Sequence, residues 1–274
     1  MTKAPWRRIT LSIAMILLAL FIAIPLYYIV VNTFKTQGDM VSSPLGIPTK
    51  PFLGNYAEVL TDPRIYKSFL NTLYVTVMSV VLQLMVGAMA AYAMLMRTSR
   101  TNRIIANVLL IGFIVPGQST LIPLYRTLVN FNLVDSLNGL IVMYMGGSIF
   151  CYFLIQGYMK TLPFEIVEAA RIDGASTGQI FLQIVLPLIK PILITVGVFQ
   201  TMWVWNDFLL PTVFISSPSK RTVVLQVYNA VSEFTTNWPM FMTVSVVALI
   251  PMVVFFIFAQ RHIVNGLLAG GVKG

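Results

Sequence analysis

Six long apolar runs alternate with polar connections along the chain: residues 9–31, 69–96, 104–125, 137–159, 192–215 and 241–259. Each approaches or exceeds the roughly 20 residues a helix needs to cross the hydrocarbon of a bilayer. The pattern predicts an all-α polytopic membrane protein with six transmembrane helices, residues 1–274 forming one membrane domain. The third run contains Pro116, Gly117, Gln118 and Pro123, which predicts a kinked or broken span. The fifth encloses Asn206 and Asp207, and is the least uniform. The first run is longer than the apolar core of a secretory signal peptide and no small-residue cleavage site follows it, so it reads as a span.

Composition agrees with the pattern. The chain is 57% hydrophobic and 10% charged, against about 25% charged residues in a soluble domain. One cysteine, Cys151, excludes an intrachain disulfide, and one histidine, His262, excludes a Cys/His metal cluster. No Walker-type or HExxH motif is present, so nucleotide or metal chemistry needs another chain. The net charge of +9 is scattered between apolar runs rather than gathered on one face, which argues for membrane topology and against nucleic acid. Arg97, Arg100 and Arg103 crowd the short connection between the second and third runs. By the positive-inside rule that connection is cytoplasmic, as are both termini.

This topology also places residues 160–191 inside. They hold Glu165, Glu168 and Asp173, and they carry their own helix signals. Pro163 suits a first helical turn and Gly174 a helix stop. Ser176 and Gln179 have capping-box spacing for a second helix bearing Ile180, Phe181, Ile184 and Leu188. Glu165, Glu168 and Arg171 share one helix face, with Phe164 and Val167 on an adjoining one, and Glu168 and Arg171 are spaced to pair. Such a helix–glycine–helix is either a plain surface helix or a knob for a partner's groove, with Ala169, Ala170 and Gly174 permitting close approach. Outside, residues 33–68 read as a proline-rich loop with a short surface helix near 55–60. Residues 216–240 are polar and aromatic, suited to an interfacial belt or to a partner.

An ionisable residue at membrane depth is a functional candidate, and Asp207 is the one in this chain, beside Trp203, Trp205 and Asn206. It either lines a translocation path or sits near the outer interface, hydrogen-bonded to neighbouring helices. Gly87, Ala88, Ala90, Ala91 and Ala93 form a small-residue surface, the mark of close helix packing.

One spacing goes further. Glu168-Ala169-Ala170, three residues, Gly174, nine residues, Ile184, one residue, then Leu186-Pro187 resembles the EAA motif of bacterial ABC importer membrane subunits. Pro116-x-Gln118, Pro123-Leu124-Tyr125, Ile172-Asp173-Gly174-Ala175, Trp205-Asn206-Asp207-Phe208 and the glycine-rich end from Asn265 to Gly274 are similar to the carbohydrate branch. They resemble the smaller six-helix partner of the maltose-type pair.

The resemblance implies a permease subunit of a sugar importer in a bacterial inner membrane. The chain itself is then not an enzyme and holds no cofactor or metal; ATP and Mg belong to a separate ATPase. The implied partners are a second permease, two ATPase subunits and an extracytoplasmic sugar-binding protein approached by residues 216–240. Glu168, Ala169, Ala170, Arg171, Asp173, Gly174, Leu186 and Pro187 become the coupling element. A cytoplasmic tail, residues 260–274, reaches the ATPase through Gly266, Gly270, Gly271 and Lys273. Trp203, Asn206 and Asp207 remain candidates for the path, and motion is alternating access driven through the coupling helix. The competing reading, a self-contained secondary carrier or channel, needs its own ion site, for which Asp207 is the visible candidate.

Overall fold

The computed structural model describes residues 5–96, 99–163, 165–233 and 237–271, and every regular element among them is helical. The order begins α1 (Pro5–Asn32), α2 (Gln37–Ser42), α3 (Gly54–Thr61), α4 (Pro63–Met96), α5 (Arg100–Ile114) and α6 (Leu121–Asn130). It continues with α7 (Leu137–Tyr144), α8 (Ser148–Met159), α9 (Glu165–Ile172), α10 (Thr177–Gln179), α11 (Leu186–Leu188) and α12 (Lys190–Asn206). The last three are α13 (Leu209–Phe214), α14 (Val223–Glu233) and α15 (Trp238–Gly271).

Four helical stretches are long and apolar enough to cross a bilayer: Ile9–Asn32, Pro63–Met96, Leu137–Met159 and Trp238–Arg261. Two bent pairs make six if each is one crossing: Arg100–Ile114 with Gly117–Asn130, at 94°, and Thr177–Leu188 with Lys190–Asn206, at 74°. The break predicted in the third run falls at Val115, whose extended backbone (ψ 123°) precedes Pro116. A residue before proline disfavours helix, so the chain turns there and resumes as a 3-10 turn, Gly117–Thr120. The fifth run is not one helix over 192–215. It stops at Asn206 because Asp207 turns to extended backbone (ψ 130°) and a separate helix follows. The sixth overruns its predicted end, continuing helically to Gly271.

The chain divides into two compact units, Met1–Tyr66 with Gln226–Ile250 and Lys67–Leu225 with Pro251–Gly274. In the first unit, α1 exposes nearly its whole apolar surface, the state of a span bathed in lipid or covered by another chain. The segment after it is more ordered than a loop. Lys35, 2% exposed, donates to Ser43 O at 2.7 Å and Pro44 O at 3.4 Å. Burial holds its ammonium below the ordinary lysine value, against the pull of Asp39. Asn55 Nδ2 donates to Thr33 O and Lys35 O, both at 2.9 Å, pinning α3 to the end of α1. The surface helix predicted near 55–60 is α3; α2, closed by a Thr36–Asp39 capping box, was not foreseen.

In the second unit, α4 and α8 pack so tightly that a Cβ on Gly87 would lie 2.5 Å from Cys151 Cβ. Ala88 and Ala91 are buried beside it and Ala90 half-buried, so this part of the small-residue surface packs, whereas Ala93 is exposed. In the same unit a polar clamp ties the chain just before α7 to the segment that follows α13. Asp135, at φ 52°, accepts from the backbone N–H groups of Ser216 at 3.0 Å and Ser217 at 2.9 Å. It also takes the Ser217 hydroxyl and the Lys220 ammonium. The Ser217 bonds, with Lys220 and Ser216 adding to them against partial burial, hold its carboxyl well below the usual carboxylate range.

Candidate functional site

Helix α9 ends in a glycine turn that its own backbone completes. Gly174 has φ 82°, a left-handed conformation that costs a residue with a side chain about 1–2 kcal/mol. Its N–H reaches Arg171 O at 3.1 Å, and the N–H of Ala175 reaches Ala170 O at 3.0 Å. These are the paired bonds of a Schellman stop. Ser176 then restarts the helix: its Oγ accepts from Gln179 N at 3.4 Å while Gln179 Oε1 accepts from Ser176 N at 2.8 Å. The capping box predicted from spacing is formed.

The element presents one face and buries the other. Val167 and Ala170 join a core with Tyr92, Ile155, Ile180 and Ile189. Glu165, Glu168, Ala169, Arg171, Ile172 and Asp173 are exposed, and Ile172, a bare aliphatic side chain on a polar loop, is 86% exposed. Phe164 lies outside the described residues. The Glu168–Arg171 pair allowed by spacing does not form among the described residues. The Arg171 guanidinium instead approaches Met96 Sδ at 3.8 Å. Beyond Gln179, Ile180–Val185 is a π-helical turn, a feature that recurs at functional sites. Ile184 and Leu186 pack half-buried on the same core, and Pro187 is exposed at the start of α11.

A second break lies within a helical stretch long and apolar enough to cross a bilayer. Leu137–Met159 is interrupted by a 3-10 turn, Met145–Gly147, between α7 and α8. Carbonyls disturbed by such a turn have no water to bond in a bilayer interior. Gln83 of α4 donates from Nε2 to Tyr144 O at 2.6 Å, and Gln200 of α12 donates to Gly147 O at 2.9 Å. The two are 2% and 5% exposed. A Cβ on Gly147 would fall 2.8 Å from both amide nitrogens, so glycine is what admits them. The sequence reading missed both glutamines. The available signal was the single glutamine in each of the runs 69–96 and 192–215.

Asp207 caps the break after α12. Tyr144 donates its hydroxyl to Oδ2 at 2.7 Å, and Leu209 N and Leu210 N approach the carboxylate at 3.0 and 3.4 Å. Asn206 Nδ2 turns back to Met202 O at 2.8 Å. Trp203 is exposed, while Trp205 is buried and lines an apolar cavity of about 430 Å³ between α4, α12 and α15. The structure thus brings Asp207 to Tyr144 and leaves Trp203 and Asn206 pointing elsewhere. Gly266, Gly270 and Gly271 fall within α15, and Lys273 lies outside the described residues.

These elements define a polytopic helical membrane protein with an exposed helix–glycine–helix between two of its spans. The chain belongs to the family described as binding-protein-dependent transport system inner membrane component, whose profile matches residues 83–268. It is 35% identical over 274 residues, 100% of both chains, to AmyC of Thermoanaerobacterium thermosulfurigenes, named as a permease for starch degradation products. It is 32% identical over 273 residues to the melibiose/raffinose/stachyose import permease MelC of Bacillus subtilis, covering 98% of this chain and 97% of that one. Among solved structures it matches a chain of a bacterial ABC transporter that imports the polysaccharide alginate. The TM-score is 0.81 at 22% identity, covering 95% of this chain and 99% of that one. That likeness speaks for the fold.

Proposed function

We propose that the chain is the membrane-spanning permease subunit of an ATP-driven ABC importer for a di- or oligosaccharide. The observation that carries this reading is α9. It is a short helix anchored by Val167 and Ala170, stopped by Gly174, and exposing Glu168, Ala169, Arg171, Ile172 and Asp173 with the EAA spacing intact. The names of the relatives support the substrate class, since they cite starch degradation products, melibiose with raffinose and stachyose, and arabinooligosaccharides.

In this reading both termini and α9 are cytoplasmic, and the exposed face of α9 enters a cleft on a separate ATPase subunit. ATP and Mg bind there, so this chain holds no cofactor. Gly174 turns the chain sharply enough for α9 to protrude, Ile184 and Leu186 brace it on the core, and Pro187 completes the coupling element on its exposed side. When the ATPase dimer closes, α9 moves as a rigid lever and tilts the spans packed on it. The end of the chain, through Gly266, Gly270, Gly271 and Lys273, is a second ATPase contact. A second permease completes the pathway, an extracytoplasmic binding protein delivers the sugar, and the end of α12 that carries Trp203, Asn206 and Asp207 borders the path. The test is Glu168→Lys in a complete transporter. Uptake should fall to background while the protein still inserts; undiminished uptake refutes the coupling role of α9.

A further inference from the structure

A small acidic pocket in the first unit lies apart from the sites described above. It has a cavity of about 20 Å³, walled by α3, the first turn of α4, α14 and the start of α15. Three carboxyl or amide side chains line it, Glu58, Asp62 and Gln226, together with one cation, Arg64. Arg64 bonds Asp62, with Nη2 at 2.9 Å from Oδ2 and Nε bonded to the same carboxylate. Glu58 forms no ion pair among the described residues, so the described lining carries one more acidic than basic side chain.

Gln226 is the second, independent observation. It is 3% exposed, yet its side-chain amide neither forms a hydrogen bond among the described residues nor belongs to the polar groups sealed from solvent. It is one of the residues that line the pocket. Buried amides are hydrogen-bonded in the great majority of cases, and an unpartnered one needs an explanation. Apolar walls from Val59, Ile65, Ala230, Met240 and Val244 lower the local dielectric, which strengthens any charge interaction inside. The cavity exceeds the roughly 10–15 Å³ a water-sized group requires. It therefore fits an ammonium group, a compact point charge with three donors, better than a planar guanidinium.

We propose that this pocket receives a lysine side chain of the extracytoplasmic binding protein, its ammonium paired with Glu58 and hydrogen-bonded to the Gln226 amide oxygen. The inference rests on the binding-protein-dependent reading given above and on α3 lying outside. It adds to that reading a docking point and the chemistry of the partner residue. The Arg64–Asp62 pair shapes one wall and excludes a second cation.

The test uses the whole transporter in proteoliposomes, titrated with its sugar-loaded binding protein while ATP hydrolysis is followed. The half-saturating binding-protein concentration should rise about tenfold in Glu58→Gln and further in Glu58→Lys, as expected for losing a partly buried charge pair across an interface. Its dependence on salt should flatten in Glu58→Gln. A single lysine-to-glutamate exchange on the binding protein should restore docking to Glu58→Lys, which no purely structural defect allows. Unchanged half-saturation in both variants overturns the proposal. So does a loss that no exchange on the binding protein rescues but that ammonium or sodium chloride modulates, since the occupant is then a small cation. If the unsubstituted complex is not stimulated by the binding protein at all, the functional reading itself fails, and this proposal with it.

Discussion

Two helix breaks in this chain are made by opposite means. At Gly174 the turn is closed by neighbours in sequence, through the Schellman bonds to Ala170 and Arg171 and the Ser176–Gln179 box. At Met145–Gly147 the donors come from far along the chain, Gln83 on α4 and Gln200 on α12. The first break lies where the chain meets water, so side chains and solvent can share the end groups. The second lies in a bundle interior, where an unpaired carbonyl has no substitute partner. A local break can be carried as a rigid protrusion. A break satisfied across three helices instead locks those helices at one level, so the two suit a lever and its bearing.

That contrast can be broken experimentally. The largest effect should follow from loss of the distant donors. Gln83→Leu or Gln200→Leu leaves a buried carbonyl unpaired and should each destabilise by about 1–3 kcal/mol. Their combination should depart from additivity because both amides crowd Gly147. Thermal unfolding of the purified chain in detergent reads this directly, and additive losses of a few tenths would mean the glutamines do not hold the break. Next comes Gly174→Ala, whose left-handed φ should cost about 1–2 kcal/mol. Nothing lies within 4 Å of the added Cβ, so the cost is conformational and Gly174→Asn should recover part of it. Equal losses for Ala and Asn would contradict the turn assignment.

Smaller still is Ser176→Ala, worth about 1 kcal/mol for a lost N-cap. It should be measured as faster amide exchange at Thr177–Gln179, with no change near Gly147. The smallest effect concerns the Asp135 clamp and appears only in acid. Its carboxyl sits below the ordinary value of 3.8, so its contribution is fully present above that value and is lost as pH falls beneath it. Asp135→Asn should flatten the stability–pH curve below pH 3.8 relative to the unsubstituted chain. A slope unchanged by the substitution would assign the acid sensitivity to other carboxylates.

The same contrast explains what could be read in advance. Proline and glycine act on their own backbone, so the turn at Val115–Pro116 and the stop at Gly174 were visible in the residues. The capping box was visible for the same reason. The end of the fifth span was misplaced, because Asn206 and Asp207 are too few to interrupt an apolar average, although Asp207 terminates α12 and caps α13. Met145–Gly147 carries no local stop signal strong enough to separate α7 from α8, since two glycines in an apolar run read as packing. Likewise the Glu168–Arg171 pair was a matter of spacing alone, and Met96, distant in sequence, took the arginine instead. The pocket around Gln226 joins α3 to α14 and had no sequence signature.

The central claim is that α9 couples this chain to an ATPase, and recovery of a tagged chain from membranes under gentle detergent tests it most directly. An ATPase subunit should accompany the unsubstituted chain in stoichiometric amount and be lost from Glu168→Lys, although that variant inserts to the same level. Recovery of the unsubstituted chain free of any ATPase, or an equal yield of ATPase with Glu168→Lys, would contradict the claim.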